Sequence, residues 1–323
     1  MAPVVGCSRD SYASEGENMK MDNKRKGMLL AALGGCLWGF SGVLAQLILD
    51  CGIGSEWLVS CRLLLGGLCI LVYSGIFKHE HTWAIFRSRR AVIRLVCFSF
   101  IGMSLVQYAF FKTIELSSAA FATIIQFISP VLLYGYELAR GIKRLRLLDL
   151  SLIIAAIFGV VLVVTDGEFS RLHVSLPALL VGLLTALSVV SYTVLPQPLI
   201  KTYGAAPTVG FGMFIAGVCF QFWHPLSGLP VHLDAKVLFY LTLMIILGTV
   251  VAFLAYLQST VYIPGSMACL FTALEPLLVS ILSVFIFGKR FSYGEVIGIA
   301  IIMVSILLFS KVSKTQAETR PKR

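Results

Sequence analysis

Long apolar runs separated by short polar segments fill the chain from about residue 27 to residue 310. Ten can be marked: Gly27 to Leu49, Glu56 to Phe77, Ala91 to Phe111, Ser117 to Leu138, Leu147 to Thr165, Leu176 to Ile200, Ala206 to Trp223, Lys236 to Tyr256, Gly265 to Phe287 and Tyr293 to Ser310. A helix needs about 20 mostly apolar residues to cross roughly 30 Å of hydrocarbon, and most runs reach that length. The seventh is the weakest, being short and holding three glycines. Inside a bilayer each backbone polar group must be satisfied within its own segment, so runs this long can only be helices. A barrel would show alternating strands of about 10 residues, and the sequence has none. The pattern predicts an all-α polytopic membrane protein with ten transmembrane helices.

Composition agrees. The 323 residues are 58% hydrophobic and 13% charged, with mean hydropathy +0.90, against roughly 25% charged in soluble proteins. The net charge of +10 invites a nucleic-acid reading, but its distribution argues for membrane orientation instead. With ten spans and a cytoplasmic N-terminus, most of the 26 lysines and arginines fall on the cytoplasmic side. Only Lys112, Arg171, Lys236, Lys289 and Arg290 fall outside, and Arg62 lies within a span. By the positive-inside rule both termini are expected in the cytoplasm, with the lipid bilayer and not nucleic acid as the surrounding partner. Residues 1–26 read as a disordered cytoplasmic tail and 311–323 as a basic one. Met1 to Asn18 lack the apolar core and cleavage site of a signal peptide, and Met19 or Met21 are alternative starts. The eight cysteines are scattered without metal-ligand spacing and read as small apolar fillers; no cofactor or metal is expected.

The chain also matches itself. Shifting the third-to-fifth runs by 146 residues lays them on the eighth-to-tenth without a gap. Gly102 then meets Gly248, Ala122 meets Ala268, Pro130 meets Pro276, Lys143-Arg144 meets Lys289-Arg290, and Asp149 meets Glu295. Five spans per half is an odd number, so the halves must be inverted relative to one another. The expected organisation is a first five-helix repeat over 27–165, an external link over 166–175 and a second repeat over 176–310. Inverted repeats of this kind suit secondary transport, because exchanging the conformations of the halves gives alternating access.

Particular stretches resemble the EamA-type transporters of the drug/metabolite transporter superfamily. They are Ala32-Leu33-Gly34-Gly35-Cys36-Leu37-Trp38-Gly39-Phe40-Ser41-Gly42 and Cys61-Arg62-Leu63-Leu64-Leu65-Gly66-Gly67, where Leu63 replaces the family's usual Phe. Ser117-Ser118-Ala119-Ala120 through Ser129-Pro130 to Lys143-Arg144 resembles the fourth helix and its turn. Ala273-Leu274-Glu275-Pro276 through Gly288-Lys289-Arg290 resembles the second copy, with Lys289 in place of the usual acid. The resemblance, from about Gly27 to Phe309, implies two inverted five-helix repeats around a central cavity. It also implies passage of amino acids, other metabolites, sugars or drugs, in some members with proton exchange.

Ionisable groups within spans are the natural functional candidates, because burying charge at mid-bilayer costs about 2.5–3.5 kcal/mol even on lenient scales. The histidines lie in loops, and the aspartates in loops, tails or at span ends. Glu275 sits near the middle of its span. It is either a proton-coupling or cation-recognising carboxylate or a hydrogen-bonded group serving the Pro276 kink. Arg62 either snorkels toward the interface, pairs with Glu275, or binds an anionic substrate group. A polar and aromatic set near mid-depth comprises Trp38, Ser41, Gln107, Tyr108, Gln126, Tyr134, Tyr192, Tyr256 and Thr272, on spans that resemble the family's cavity-lining set. Such residues can recognise an amphipathic substrate or simply bridge helices. Pro130, Pro196 and Pro276 are candidate hinges.

Other classes fit poorly. The sequence has no His-Glu-x-x-His helix, no Gly-x-Ser-x-Gly elbow and no phosphate-binding glycine loop, which argues against an enzyme. Charge rings or a selectivity loop for a channel are missing. A uniporter or channel-like pore without proton coupling, and a non-transporting interaction protein, remain the alternatives to a secondary transporter of the plasma membrane. The neutral, aromatic candidates point to a neutral or zwitterionic small-molecule substrate, amino acids included, rather than a phosphorylated one.

Overall fold

The structure, a computed structural model, describes residues 9–49, 51–77, 82–117, 119–165, 167–168, 175–228, 234–287 and 292–318. Described residues of every predicted run are helical over most of their length, and no strand occurs among the described residues. Eight helical stretches are long and apolar enough to cross a membrane, and Ala205–Phe220 and Tyr293–Phe309 are shorter apolar helices. Most of Ala205–Phe220 is buried among its neighbours, so this helix need not match the bilayer thickness by itself.

The first half of the chain contains α1 (Arg9–Leu49), α2 (Ser55–Phe77), α3 (Arg89–Cys97), α4 (Leu105–Leu116), α5 (Ala119–Gln126), α6 (Ser129–Ala139) and α7 (Leu147–Thr165). The second contains α8 (Leu176–Val194), α9 (Gln197–Tyr203), α10 (Ala205–Phe220), α11 (Ala235–Ile245), α12 (Ala252–Tyr262), α13 (Gly265–Phe271), α14 (Leu274–Phe287) and α15 (Tyr293–Glu318). A 3₁₀ helix, Thr82–Arg87, precedes α3. Helix α1 runs back over 9–26, the stretch expected from sequence to be an unstructured tail, because extending an existing helix costs far less than starting one. Helix α15 likewise continues into the basic tail. Residues 1–8, most of the 166–175 link, and Lys289-Arg290 lie outside the described residues.

Several spans are interrupted. Phe98–Ser104 joins α3 to α4 as a π-helix, and Ile246–Val251 does the same between α11 and α12. The two segments contain Gly102 and Gly248, which the 146-residue shift superimposes. Helices α5 and α6 are separated at Phe127-Ile128, and α13 and α14 at Thr272-Ala273. Proline explains both breaks: Pro130 and Pro276 cannot donate to the carbonyls of Gln126 and Thr272, and their rings crowd the turn behind them. The backbone tightens there into three-residue bonds, Ile128 N–H to Ile125 O at 3.2 Å and Glu275 N–H to Thr272 O at 2.9 Å. Pro196 marks the α8–α9 junction in the same way.

Packing crosses between the halves. Helix α1 lies against α12 and α14, whereas α8 lies against α4 and α5, and α2 pairs with α10 as α7 pairs with α15. Glycine makes the closest approaches possible. A Cβ on Gly39 would stand 2.6 Å from the Glu275 carbonyl oxygen, and one on Gly248 2.3 Å from the Ser41 Cβ. At the α2–α10 seam, a Cβ on Gly217 would stand 2.4 Å from the Leu64 amide nitrogen, and one on Gly67 the same distance from that of Phe214. Rigid backbone is met on both sides. Gly217→Val should therefore lower stability by at least the roughly 1–3 kcal/mol of ordinary overpacking. Gly135→Ala, which meets nothing within 4 Å, should leave it unchanged. Thermal unfolding of the two purified variants in detergent checks the contrast.

Candidate functional site

A small cavity opens where the two broken spans meet. Trp38, Gln126, Phe127, Ser129, Val189, Tyr192, Cys269 and Thr272 line a space of about 10 Å³, roughly what one water molecule needs and far below the roughly 300–1,000 Å³ of typical ligand pockets. Gln126 and Thr272 are the residues whose carbonyls the two prolines leave without their helical donors, so the cavity forms at the breaks themselves. Cys269 does more than fill space, since its Sγ lies 3.3 Å from Ser129 Oγ across the two halves. Thr272 Oγ1 donates back to the Cys269 carbonyl at 2.6 Å. One wall is aromatic: the Trp38 ring stands 5.1 Å from Phe253 and 5.0 Å from Tyr256, and Tyr192 stands 5.5 Å from Tyr256. The Tyr256 hydroxyl is held by Thr193 Oγ1 at 3.1 Å.

Above this wall lie the charged candidates. Arg62 is 8% exposed, and it points inward instead of snorkelling outward. Its Nε donates to Thr249 Oγ1 at 3.2 Å and its Nη2 to the Gly248 carbonyl at 3.4 Å. Both acceptors belong to the π-helical segment, whose displaced backbone offers carbonyls that a regular helix would consume. Glu275, on the first turn of α14, feels the charge of Arg62, but no ion pair or side-chain hydrogen bond ties its carboxyl to a described residue. Four polar atoms nearby in sequence, Trp38 Nε1, Ser41 Oγ, Ser104 Oγ and Gln107 Nε2, are buried without a hydrogen-bond partner among the described residues. Trp38 and Ser41 are one turn apart on α1, as Ser104 and Gln107 are on the third span, so each pair shares a helix face. A buried polar group left unpaired costs about 1–3 kcal/mol; of the four residues, Trp38 is the one that lines the cavity.

Two of the candidate aromatics lie elsewhere. Tyr108 is 46% exposed and is not among the cavity-lining residues. Tyr134 turns toward the α6–α7 connection, where its hydroxyl accepts from the Arg146 amide at 3.0 Å. That bond satisfies a free N–H at the start of α7. At the matching start of α15, Ser292 and Glu295 do the same job as a reciprocal pair, each side chain accepting from the other's amide at 3.1 Å.

Beside Tyr134 stands a cluster that sequence reasoning passed over. Glu137, 3% exposed, accepts from the Ser266 amide at 2.8 Å and from its hydroxyl. Lys143 Nζ lies 3.6 Å from the same carboxylate, donates to Ser266 Oγ at 3.0 Å, and sits over the rings of Tyr134 and Phe309.

One family profile matches the chain twice, over residues 25–165 and again over 176–311, and it describes the EamA-like transporter family. The chain belongs to that family. An uncharacterized inner membrane transporter of Salmonella typhimurium, YicL, is 32% identical over 299 residues, covering 92% of this chain and 99% of the relative. An uncharacterized transporter of Bacillus subtilis, YwfM, is 25% identical over 295 residues, covering 90% and 94%. A protein of known crystal structure shares the fold with a TM-score of 0.74 at 15% identity, covering 88% of this chain and 98% of the other.

This EamA-like transporter is therefore a multi-pass membrane protein, and its two profile matches coincide with the two stretches that exchange helix contacts. The cavity draws on both, through Trp38, Gln126 and Ser129 from one and Tyr192, Cys269 and Thr272 from the other. Glu137 had a signal in the sequence. It precedes Lys143 by six residues around a glycine turn, a spacing that lets the two side chains fold back on each other. Because Ser41 Oγ has no partner among the described residues, Ser41→Ala removes an unpaired buried hydroxyl and should not lower stability. Tyr134→Phe, which uncaps α7, should cost about 1 kcal/mol. Melting temperatures of the two variants, measured side by side, should rank Tyr134→Phe clearly below Ser41→Ala.

Proposed function

We propose that this protein is a secondary transporter of the inner (plasma) membrane, built of ten spans in two inverted five-helix repeats. It moves a small neutral or amphipathic metabolite by alternating access. The observation that carries the reading is the cavity at the meeting of the two proline-broken spans, lined from both halves by aromatic faces and polar side chains. A pocket at the interface of repeats, made where helices are discontinuous, is the usual place for a transported solute. Element boundaries support the repeat: α3 and α11 begin at 89 and 235, and α7 and α15 at 147 and 293, both pairs 146 residues apart. The positive-inside charge distribution supports cytoplasmic termini. The printed description of the Salmonella relative as an inner membrane transporter supports the location.

In this reading Trp38, Gln126, Tyr192, Tyr256 and Thr272 hold the solute, with Ser41 and Gln107 adding hydrogen bonds as it moves outward. Arg62 fixes the π-helical carbonyls and sets the charge that Glu275 faces. Glu275 exchanges a proton with the outward path, its carboxyl unclaimed by other side chains. Its counterpart in the first half is Ser129, so the coupling group is single. Pro130, Pro196 and Pro276 serve as hinges. The substrate is zwitterionic or neutral, amino acids among the candidates, because Arg62 alone is too little buried positive charge for a multi-phosphate.

The test is reconstitution in liposomes loaded with pooled amino acids and related metabolites, with and without an imposed pH gradient. The expected result is selective release of one class, faster with the gradient, and loss of the gradient's effect in Glu275→Gln with release itself retained. Gradient-driven release by Glu275→Gln at the parent rate removes the coupling role. Release of no pool member by folded protein refutes the substrate class.

A further inference from the structure

We infer that Glu137, Lys143 and Ser266 form a gate that seals the cavity between α6 and α13 and parts once in each transport cycle. The inference rests on the transporter reading above. The cluster stands two turns along α6 from Ser129 and one turn along α13 from Cys269, the pair that touches across the cavity. Eight residues of α6 span about 12 Å and three residues of α13 about 4.5 Å at ~1.5 Å per residue, so the cluster lies within about 12 Å of that contact.

Leu133, one turn from Glu137 on α6, is wholly buried. Gly265, beside Ser266, is packed so that a Cβ there would lie 3.1 Å from Thr193 Cγ2 and 3.6 Å from Glu137 Oε1. In this proposal these contacts close the way past α6 and α13 while the cluster holds.

The chemistry of this seam differs from that of its neighbour. Helices α2 and α10 meet mainly through glycines pressed on backbone, with one side-chain bond at the end of the seam, Gln221 Nε2 to Ser60 Oγ at 2.7 Å. Here the halves are joined by one carboxylate, one ammonium, one hydroxyl and one amide. Water can replace every one of those partners, so opening exchanges hydrogen bonds where an apolar seam would simply lose its burial.

The element on the far side is short and bounded by breaks. Helix α13 has seven residues, all of them buried. It is set off from α12 by extended Ile263 and by Pro264, and from α14 by the turn at Thr272-Ala273. A short rod with a joint at each end can swing without bending a helix. Glu137 grips that rod at its first turn, and the rings of Tyr134 and Phe309 hold Lys143 against the grip.

The native cysteines supply the test. Cys269 lies behind the gate and Cys61 is buried on α2, away from it. In a protein keeping only these two, reaction with a small water-soluble thiol reagent is followed residue by residue by mass spectrometry. Glu137→Gln and Lys143→Met should each label Cys269 about tenfold faster, as a tenfold rise in the open population requires, with Cys61 still protected. Equal labelling of both cysteines means that the cluster holds the fold and not a gate, and unchanged labelling of Cys269 means that it holds nothing shut; either overturns the inference. These readouts need no substrate, so they stand even if the transporter reading fails. In a cysteine-free background, Glu137→Cys with Ser266→Cys, bridged by a short reversible crosslinker, should stop solute release and recover it on reduction. Undiminished release by fully bridged protein also overturns the gate.

Discussion

In hydrocarbon no water is available to take over a freed backbone group, so each N–H and C=O in a span must find a partner in protein. This chain nevertheless interrupts its helices at mid-depth, twice through proline and twice through a π-helical segment. The rest of the architecture answers to those interruptions. Arg62 reaches in to the Gly248 carbonyl and Thr249, tight three-residue bonds close the turns at Phe127-Ile128 and Thr272-Ala273, and α1 presses its glycines against the second break. What is left incompletely satisfied collects around one small cavity. The cavity thus arises from the same local departures from regular helix.

The exchange of helices between the halves follows from those approaches. Gly39 and Ser41 on α1 abut the Glu275 backbone and Gly248, both in the second half, while α8 abuts Gly102 in the first. Neither half encloses its own breaks. Movement of one half against the other consequently acts directly on the cavity walls. The α6–α13 contact is polar, whereas the α2–α10 contact is mostly backbone and glycine.

How much of this could be read from the sequence depends on what each feature needs. Apolar runs need only length and hydropathy to be read, so eight coincide with helices long and apolar enough to cross a membrane and two with shorter apolar helices. The proline breaks need only the missing N–H of Pro130 and Pro276, and their shared register made them visible. Rotation about the helix axis is another matter. A helix apolar all round carries no preferred face, so Tyr108 and Tyr134 share the depth of Tyr192 and Tyr256 but not their direction. The π-helical segments leave no mark beyond Gly102 and Gly248 in ordinary apolar stretches. Glu137 sits near a span end, where a carboxylate reads as solvated, and only the fold brings Ser266 from 129 residues away to bury it. The long reach of α1 back to Arg9 was hidden for a different reason, because polar composition alone does not distinguish a helical extension from an unstructured tail.

The reciprocal packing also bears on how the protein is made. A ribosome that has delivered α1 to α7 to the membrane has produced a half whose closest contacts do not yet exist. Until α8 to α15 follow, Arg62 has no π-helical carbonyl to hold, Glu137 has no α13 to grip, and the glycine face of α1 borders lipid. In the newborn first half these particular contacts are unmade. Its native arrangement becomes available only when synthesis is nearly over.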